Sequence, residues 1–344
     1  MTWTGGSVTP DAPRVAVFGA AGFAGALGAR LLHRHPHFDL VAITARSETG
    51  RVLSDVYPQH RVPLTLEELD LDRHAEDLDA AVVAYPHGAA APVVRELRER
   101  EVRVVDLSAD FRLRDVRVYE EWYREHVAPE LIDQAIYGLP ERYREEIRDA
   151  DLVANPGCYP TATLLALAPL ARIGLIDDLV IDAKSGVSGA GRAATEKTHF
   201  VTVDENVAAY SVPRHRHTPE IEQELAVLGS EVAITFTPHL LPLDQGELVS
   251  CYVTTPPDAD PIDLRALYDE FYEGEQFVEL ADRPPGVRDV RETNLCRISV
   301  HTDSRTGRII VFSALDNMWK GAASQAVQNL NLMFGFDEAA GISP

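Results

Sequence analysis

Apolar and polar positions alternate between two periods along the first half of the chain. Apolar residues recur at helical spacing over residues 24–35 and 89–100. Short apolar runs typical of buried strands lie before, between and after these helices, at 14–18, 40–44, 80–85 and 102–107. Because predicted strands and helices alternate, the pattern predicts an α/β domain with a doubly wound parallel sheet covered by helices.

The pattern changes after about residue 157. One helix is predicted over 161–172, and two more over 219–228 and 262–272. Between and beyond them lie longer strand-like runs, at 179–183, 232–236, 247–254, 296–300 and 308–315. This half therefore predicts an α+β domain with a mixed, largely antiparallel sheet. A terminal helix over 321–333 carries apolar residues on one face and is predicted to be amphipathic.

These patterns divide the chain into two domains. The first domain covers residues 13–156 and is completed by a C-terminal helical segment at 317–344. The second domain covers residues 157–316. Residues 1–12, rich in Gly, Thr and Pro, are expected to form a disordered lead-in.

Charge and composition limit the classes of function. The 344 residues contain 32 Lys and Arg against 54 Asp and Glu, a net charge of −22. Nucleic acids and anionic membranes require clustered basic residues, so neither is expected as a partner. No run approaches the roughly 20 apolar residues of a membrane span.

The cysteines indicate a compartment. Three of them, an odd number far apart, argue against a disulfide scaffold and favour the reducing cytoplasm. Cys251 and Cys296 lie in apolar strand-like runs and are predicted to be buried structural thiols. Residues 1–12 show no basic segment followed by an apolar one, so no signal peptide is expected.

A glycine-rich loop joins the first strand to the first helix, with Gly19, Gly22 and Gly25 spaced three apart. In this setting glycines allow a tight turn, and a pyrophosphate binds at the helix N-terminus, so a Rossmann-type dinucleotide site is predicted. NAD enzymes usually hold the ribose 2′-OH with an acidic residue after the second strand. Arg46 and Ser47 stand there instead and suit a 2′-phosphate, so we expect NADP(H).

Cys158 stands in the run Asn155-Pro156-Gly157-Cys158-Tyr159-Pro160, just before a helical pattern. We expect it in a loop at the helix entrance, with Pro160 in the first turn. The partial positive charge of a helix N-terminus favours the thiolate, which is the nucleophilic form. A nucleophilic thiol together with a nicotinamide cofactor suggests interconversion of an aldehyde and an acyl derivative through a thioester.

The run at 214–222 is the richest polar cluster of the chain. Thr218 is predicted to cap a helix with Pro219 at its first position. His217, nearest the helix start, is our candidate general acid and base. Loops at 108–112 and 184–192 offer hydroxyls and cations that suit a phosphate or acyl phosphate.

A cluster of histidines lies near the end of the first helix. His33 and His37 are four apart, but Pro36 ends the helix between them. We predict that these two and His35 are solvated, and we expect no metal site here or elsewhere.

Six ordered motifs carry a resemblance to a known family. They are GAAGFAG (19–25), VDLSADFRL (105–113), ANPGCYPTAT (154–163), DAKSGVSGAGR (182–192), HRHTPEIEQEL (215–225) and KGAASQAVQNLNLMFG (320–335). From about residue 14 to 336 the chain resembles the N-acetyl-gamma-glutamyl-phosphate reductase family of arginine biosynthesis, which is related to aspartate-semialdehyde dehydrogenase. One departure is Pro213-Arg214 before His215, where the family often has glycine.

The resemblance implies an activity. NADPH would reduce N-acetylglutamyl 5-phosphate to N-acetylglutamate 5-semialdehyde and phosphate, with Cys158 as the nucleophile and His217 as the acid and base. It also implies a homo-oligomer, a dimer or a tetramer.

Motifs and resemblance together define a candidate site. The residues assigned to the cofactor are Gly19, Ala21, Gly22, Phe23, Ala24, Arg46, Ser47, Pro86, His87, Ser188, Gly189 and Asn317. The residues assigned to the substrate are Ser108, Arg112, Asn155, Lys184, Ser185, His215 and Glu220.

Two alternatives stay open. One is a reductase of carrier-protein-linked aminoadipyl or glutamyl phosphate in lysine or arginine biosynthesis. The nucleophile run of the lysine enzyme resembles GCNATAT. The runs CYPTAT and KSGVSGAGR in this chain favour the arginine branch. A non-catalytic NADP-sensing module on the same fold is the alternative of another class, and the pairing of Cys158 with His217 argues against it.

Overall fold

Two seven-stranded sheets organise the chain. A computed structural model describes residues 11–343, which form two units. One unit ends at Pro156 and takes in Ala322–Ser343, and the other is Gly157–Gly321. The predicted lead-in of residues 1–12 lies outside the described residues except for Asp11 and Ala12.

The first unit contains a parallel sheet. Its strands are β1 (Arg14–Phe18), β2 (Asp39–Thr44), β3 (Leu66–Glu67), β4 (Ala80–Val83), β5 (Arg103–Asp106), β6 (Ile136–Tyr137) and β7 (Leu152–Ala154). Their order is β3-β2-β1-β4-β5-β7-β6, and every neighbouring pair is parallel. The predicted doubly wound α/β class is confirmed.

Six helices connect these strands. They are α1 (Phe23–His33), α2 (Leu53–Val56), α3 (Leu71–His74), α4 (Ala91–Glu99), α5 (Val116–Trp122) and α6 (Pro140–Arg148). The central strands are buried throughout, for example Val15–Phe18 in β1 and all of β4. Strands covered on both faces read as continuous apolar runs, which is why the sequence revealed them.

The second unit contains a mixed sheet. Its strands are β8 (Asp178–Gly186), β9 (Ala208–Ala209), β10 (Ile234–Leu241), β11 (Glu247–Thr254), β12 (Val278–Leu280), β13 (Cys296–Thr302) and β14 (Ile309–Leu315). Their order is β12-β13-β14-β11-β8-β10-β9. Only β12–β13 and β8–β10 are parallel pairs among the described strands of this sheet, so the predicted largely antiparallel sheet is confirmed.

Four helices belong to this unit: α7 (Cys158–Arg172), α8 (Phe200–Val203), α9 (Thr218–Leu228) and α10 (Leu264–Phe271). Helix α7 is buried from Tyr159 to Ala171 and packs on β11 and β14. It is the central helix of the unit's core. Cys251 and Cys296 are fully buried on β11 and β13, as predicted.

The chain then returns to the first unit. A π-helical turn, Trp319–Ala323, leads into α11 (Ser324–Met333). The predicted single packed face is wrong, because all ten residues of α11 are buried. The helix lies against α1, α6 and β5, and its polar face is occupied by internal hydrogen bonds such as Asn329 Nδ2 to the Gly138 carbonyl at 3.0 Å.

The predicted solvation of the three histidines is wrong for His35. Its side chain is 3% exposed, while His37 is exposed and His33 is half-buried. His35 Nε2 bonds the Ala340 carbonyl at 2.9 Å, and its ring packs on Phe38. The reason is that the segment after α11 folds back over this part of the first unit.

Candidate active site

Cys158 is the first residue of α7. Gly157 precedes the helix with extended backbone angles, and Pro160 occupies the first turn as predicted. The expected loop position is wrong, because the helix begins at Cys158 and not at residue 161, but the thiol does lie at a helix N-terminus. Its side chain is half-buried. Dipole and free N–H groups there favour the thiolate over the thiol.

Two glycines leave room around this thiol. A Cβ on Gly321 would lie 2.7 Å from the Cys158 Cβ, and a Cβ on Gly157 would overlap Nε2 of His217. Neither position has room for the Cβ of a larger residue. Glycine at these positions therefore lets the backbone approach Cys158 closely and lets the His217 ring lie against the residue before it.

His217 precedes α9, whose first residue is Thr218. The predicted Thr218 cap is wrong, because Thr218 is already helical and its buried hydroxyl makes no hydrogen bond to a described group. Glu220 in the first turn reaches across to α7, where its Oε1 accepts the Gly157 N–H at 3.0 Å. This bond ties the start of the histidine-bearing helix to the start of the cysteine-bearing helix.

His215 has a defined neutral form. Burial lowers its pKa to about 4, with a contribution from the Arg216 charge. Its Nδ1 accepts the His217 N–H at 3.1 Å, so the ring proton is on Nε2. The His215 ring meets the edges of Tyr159 and Tyr210 at centroid distances of 5.7 and 5.3 Å. His215 thus supports the position of His217 and is not itself charged near neutral pH.

Sequence reasoning missed Glu247, the first residue of β11. Its side chain is fully buried, and burial raises the pKa of its carboxyl to about 8. Hydrogen bonding with the Cys158 thiol and the Ser185 hydroxyl opposes that rise in pKa. A signal was present in the sequence: Glu247 is in phase with the buried positions Val249 and Cys251 of its strand.

Lys184 and Ser185 were both predicted to contact the substrate, and both lie on β8. Neighbouring residues on β8 point to opposite faces of the sheet. Ser185 is buried on the Glu247 side. Lys184 instead forms an ion pair with Asp182 at 2.5 Å, and Asp182 also meets His239 at 3.2 Å. Lys184 and Ser185 therefore lie on opposite faces of β8, and the contact of each with a substrate stays a prediction.

The predicted cofactor residues of the second unit form one hydrogen-bonded group. Asn317 Nδ2 donates to the Ser188 hydroxyl at 2.9 Å, and Asn317 Oδ1 accepts the Gly246 N–H at 2.8 Å. Ser188 in turn donates to the Asp244 carbonyl. A Cβ on Gly189 would lie 3.3 Å from the Ser185 Oγ. These residues hold two loops together near Ser185, and their contact with a cofactor stays a prediction.

The glycine-rich loop of the first unit has the geometry of a dinucleotide site. Gly19 has φ +100°, and a Cβ there would lie 2.5 Å from the Ala84 carbonyl oxygen. A Cβ on Gly25 would overlap the Gly19 carbonyl. Among the described residues no side chain caps the start of α1 at Gly22, so its N–H groups suit a pyrophosphate. Phe23 and Ala24 open α1, and the Ala21 carbonyl accepts the Tyr57 hydroxyl at 2.8 Å.

Two further cofactor predictions lie at the carboxyl ends of β2 and β4. Arg46 and Ser47 are exposed just after β2, and the Arg46 guanidinium lies 5.4 Å from the centre of the Tyr85 ring. Pro86 and His87 follow β4, where His87 Nδ1 accepts the Ala109 N–H at 2.9 Å. In open α/β sheets, ligands bind at this edge. These residues fit a dinucleotide with a 2′-phosphate.

The predicted substrate residues of the first unit form hydrogen bonds with other groups of the protein. The Ser108 hydroxyl donates to Asp106 at 2.5 Å, and the buried Arg112 donates to the Leu107 carbonyl at 2.8 Å. Asn155 Oδ1 accepts from Asn329 at 3.1 Å. Burial and the Asp110 charge raise the pKa of Asp106 to about 7. These residues shape the sheet edge after β5 and β7, and their contact with a substrate stays a prediction.

No helix among the described residues is long and apolar enough to cross a membrane. Residues 11–343 contain no group of three or more His, Cys, Asp or Glu side chains arranged to hold a metal ion.

Comparison with known proteins identifies the two halves of the chain. Residues 14–150 match the family model "Semialdehyde dehydrogenase, NAD binding domain", and residues 158–317 match "Semialdehyde dehydrogenase, dimerisation domain". The first match confirms the predicted nicotinamide dinucleotide cofactor.

Solved structures agree on the fold. Aspartate semialdehyde dehydrogenase II from Vibrio cholerae aligns with a TM-score of 0.72 at 21% identity, covering 94% of this chain and 99% of that one. The aspartate semialdehyde dehydrogenase from Candida albicans, solved with NADP, aligns with a TM-score of 0.66 at 16% identity, covering 94% and 99%. At such identities the likeness concerns the fold.

Curated relatives match at much higher identity. N-acetyl-gamma-glutamyl-phosphate reductase from Desulforudis audaxviator is 51% identical, covering 96% of this chain and 97% of that protein. The same-named proteins from Pelotomaculum thermopropionicum and Moorella thermoacetica are 49% and 50% identical, covering 96% and 94% of this chain and 98% and 96% of theirs. The resemblance noted in the sequence is confirmed, and the chain belongs to the N-acetyl-gamma-glutamyl-phosphate reductase family of semialdehyde dehydrogenases.

Proposed function

We propose that this protein uses NADPH to reduce N-acetyl-L-glutamyl 5-phosphate to N-acetyl-L-glutamate 5-semialdehyde and phosphate, a step of L-arginine biosynthesis. The single observation that carries the proposal is Cys158 at the N-terminus of α7, in a chain about half identical to reductases of that name. A half-buried thiol at that position is suited to attack an acyl phosphate.

The residues of the second unit take distinct roles in this proposal. The Cys158 thiolate attacks the acyl carbon, a carbon–sulfur bond forms, and the carbon–oxygen bond to phosphate breaks. His217 is the acid and base that moves protons at the reacting oxygen or sulfur. Glu220 accepts a hydrogen bond from the Gly157 N–H and so holds the start of α9, next to His217, against the start of α7. When bound, the nicotinamide cofactor supplies the hydride that reduces the thioester. Release of the aldehyde restores the thiolate.

The part of the cofactor site that binds the pyrophosphate and the 2′-phosphate in the proposal belongs to the first unit. The backbone of the Gly19–Ala24 loop binds the pyrophosphate, and Arg46 and Ser47 bind the 2′-phosphate of NADP. We assign residues 13–156, completed by 317–344, as the NADP-binding domain and residues 157–316 as the catalytic domain.

Two further assignments complete the proposal. The match of residues 158–317 to a domain described as a dimerisation domain supports a homo-oligomer, a dimer or a tetramer. Three free cysteines and the biosynthetic role support a cytoplasmic location.

The test is the reverse reaction. Purified protein receives N-acetylglutamate 5-semialdehyde, NADP and phosphate, and the carrier-linked aminoadipate analogue is offered in parallel. We expect NADP reduction with the first substrate only, and no reduction when phosphate is left out. Cys158→Ser should lower kcat by at least about a thousandfold, because a hydroxyl at that site is a far weaker nucleophile. NADPH binding should be retained.

Each other outcome contradicts a defined part of the proposal. Turnover with the aminoadipate analogue alone would assign the protein to lysine biosynthesis. Activity that does not depend on phosphate would exclude an acyl phosphate, and substantial activity of Cys158→Ser would exclude the thioester. No turnover on either substrate, with NADPH binding intact, would favour a sensor.

A further inference from the structure

Glu247 is a buried carboxyl next to the candidate nucleophile that the proposed mechanism leaves unused. It opens β11, pairs with Ser185 of β8 and Leu315 of β14, and has no exposed surface. Its strand packs against α7, the helix that begins at Cys158. A Cβ on Gly321 would lie 2.7 Å from the Cys158 Cβ and 3.2 Å from Cδ1 of Leu315. Because Leu315 is the register partner of Glu247, this contact places Glu247 near the start of the cysteine-bearing helix.

The Glu247 carboxyl has few partners that could stabilise a buried negative charge. Within residues 11–343 neither of its oxygens makes a hydrogen bond of ordinary length and angle. The Cys158 thiol and the Ser185 hydroxyl do lie near enough to act on it as hydrogen-bonding partners. Burying a carboxylate without strong partners is very costly, whereas a neutral carboxylic acid is much cheaper to bury and carries an O–H donor.

The titratable groups around Glu247 reinforce the neutral form. They come from three elements: Cys158 and Tyr159 from α7, Tyr210 just after β9, and Asp316 just after β14. Burial and the Asp316 charge raise the pKa of Glu247 to about 8. Burial also raises the pKa of Tyr159 and of Tyr210, so both phenols stay neutral. Near pH 7 the carboxyl is therefore mainly protonated, and no cation among these groups competes for it.

We propose that Glu247 is a positioning residue for the nucleophile, a neutral carboxylic acid whose O–H donates a hydrogen bond to the Cys158 thiolate. The bond orients the sulfur and stabilises its negative charge before attack and again when the thiolate is released. No bond to Glu247 forms or breaks, and its proton stays on the carboxyl throughout. The catalytic meaning of this role rests on the proposed function, but the effect on the thiol does not.

The proposed hydrogen bond is lost above the pKa of Glu247, where its carboxyl has no proton to donate. Once the carboxyl ionises, it presents a negative charge to the sulfur and disfavours the thiolate. The thiol and this carboxyl therefore lose their protons in coupled steps, and the thiolate forms over a wider pH range than it would beside a group that cannot ionise. Glutamine at this position keeps an N–H donor but cannot ionise.

The test measures thiol reactivity without substrate, so its failure is distinguishable from failure of the proposed function. The full-length protein and its Glu247→Gln and Glu247→Ala variants are alkylated with iodoacetamide from pH 5.5 to 10. Cys158→Ser supplies the background from the two buried cysteines. Glu224→Gln, which alters a buried carboxyl of α9 that accepts from Gln223, is the matched control.

We expect Glu247→Ala to slow alkylation at pH 7 by about tenfold or more, because it removes the donor to the thiolate. Glu247→Gln should stay within about threefold of wild type at pH 7 and should give a narrower titration than wild type, because the ionising carboxyl is removed while His217 is kept. The Glu224→Gln profile should match wild type. Superimposable wild-type and Glu247→Gln profiles would overturn the proposal, as would faster alkylation of either Glu247 variant at pH 7. The Gln variant decides the question if the Ala variant does not fold.

Discussion

Gly157 and Gly321 lack side chains at positions where atoms of His217 and Cys158 occupy the space that a Cβ would need. A Cβ on Gly321 would lie 2.7 Å from the Cβ of Cys158, and one on Gly157 would overlap the His217 ring. Neither glycine has a positive φ, so backbone strain does not explain them. At the residue scale, the candidate site depends on close approach between backbone and side chains.

Gly157→Ala tests this dependence. The added methyl must displace the His217 imidazole or the start of α7, so we expect kcat to fall by about a hundredfold, the typical contribution of a well-placed acid or base. NADPH binding should be unchanged, because neither Gly157 nor His217 is among the predicted cofactor residues. Steady-state kinetics and a cofactor titration measure both.

Gly28→Ala is the matched control. Gly28 lies within α1 with nothing in reach of an added Cβ, so alanine should stabilise the helix by roughly 0.5–1 kcal/mol. Its activity should equal that of wild type. Equal kcat for Gly157→Ala and Gly28→Ala would mean that His217 does not need its present position.

Arg46 carries the proposed preference for NADP. It is exposed after β2 and lies over the Tyr85 ring, where its guanidinium is free to meet a 2′-phosphate. A charge-assisted hydrogen bond contributes about 1.5–3 kcal/mol. Arg46→Asp should therefore weaken NADPH binding by roughly tenfold to a hundredfold and leave NADH binding nearly unchanged, as measured by fluorescence titration. Arg117→Asp makes the same charge change on α5 and should alter neither affinity. An unchanged NADPH to NADH ratio in Arg46→Asp would refute the assignment.

At the same scale, sequence predicted some site residues and missed others for physical reasons. Cys158 and His217 were visible because each precedes a clear helical pattern. Glu247 was missed because a carboxylate at the start of a strand is usually a solvated end. Lys184 and Ser185 were assigned to a loop, but both lie at the end of β8, where adjacent residues point to opposite faces.

At the scale of elements, the segment after α11 shows how a short piece of chain is held. His35 bonds the Ala340 carbonyl through Nε2, and its Nδ1 accepts the His37 N–H at 3.1 Å. A Cβ on Gly341 would overlap its ring. Because both ring nitrogens are used in the neutral form, a second ring proton would break the bond from His37. Burial lowers the pKa of His35 to about 4.

This geometry predicts loss of stability in acid. The folded state holds fewer protons on His35 than the unfolded state between its pKa of about 4 and the ordinary value of 6.5. The free energy of unfolding should therefore fall as pH falls through that window, by up to about 1.4 kcal/mol per pH unit for this group. In His35→Gln the slope should be shallower by up to that amount, as measured by urea unfolding at pH 7, 6, 5 and 4.5.

The exposed His199→Gln is the control for this experiment, because solvent reaches its ring in the folded and unfolded states. Its slope should equal that of wild type. Since burial also lowers the pKa of His60 and His215 to about 4, His35→Gln should keep part of the acid sensitivity. Identical slopes for His35→Gln and wild type would show that His35 is not protonated on unfolding.

Element types were predicted more reliably than their surroundings. Strands β1, β4 and β5 and helices α1 and α4 follow directly from apolar periodicity. The periodicity of α11 gave its existence but not its burial, because its polar residues are satisfied by partners such as Gly138 and Asn155 that lie far away in sequence. The burial of His35 has the same origin. Contacts made by distant segments leave no local periodic signal.

At the scale of the whole molecule, charge is the property that sequence gives without any structure. The chain carries 54 acidic and 32 basic side chains, a net charge of −22. Like charges at this density repel one another in the folded state and repel less in the expanded unfolded chain. The many ion pairs of the surface, such as Arg100 with Asp72 at 2.7 Å, add little to stability because solvent screens them.

Self-repulsion predicts that moderate salt stabilises the protein. The Debye length falls from about 30 Å at 0.01 M to about 8 Å at 0.15 M, which screens repulsion across the surface more than it weakens pairs in contact. Tm measured at pH 7.5 should therefore rise by several degrees between 0.01 and 0.2 M NaCl and then level off. Exchanging four exposed acidic residues, Glu76, Glu146, Glu231 and Glu273, for glutamine should reduce that rise. A Tm that falls over the same salt range would mean that attractive pairs outweigh the net charge, and the four-residue variant would then be less stable than wild type at low salt.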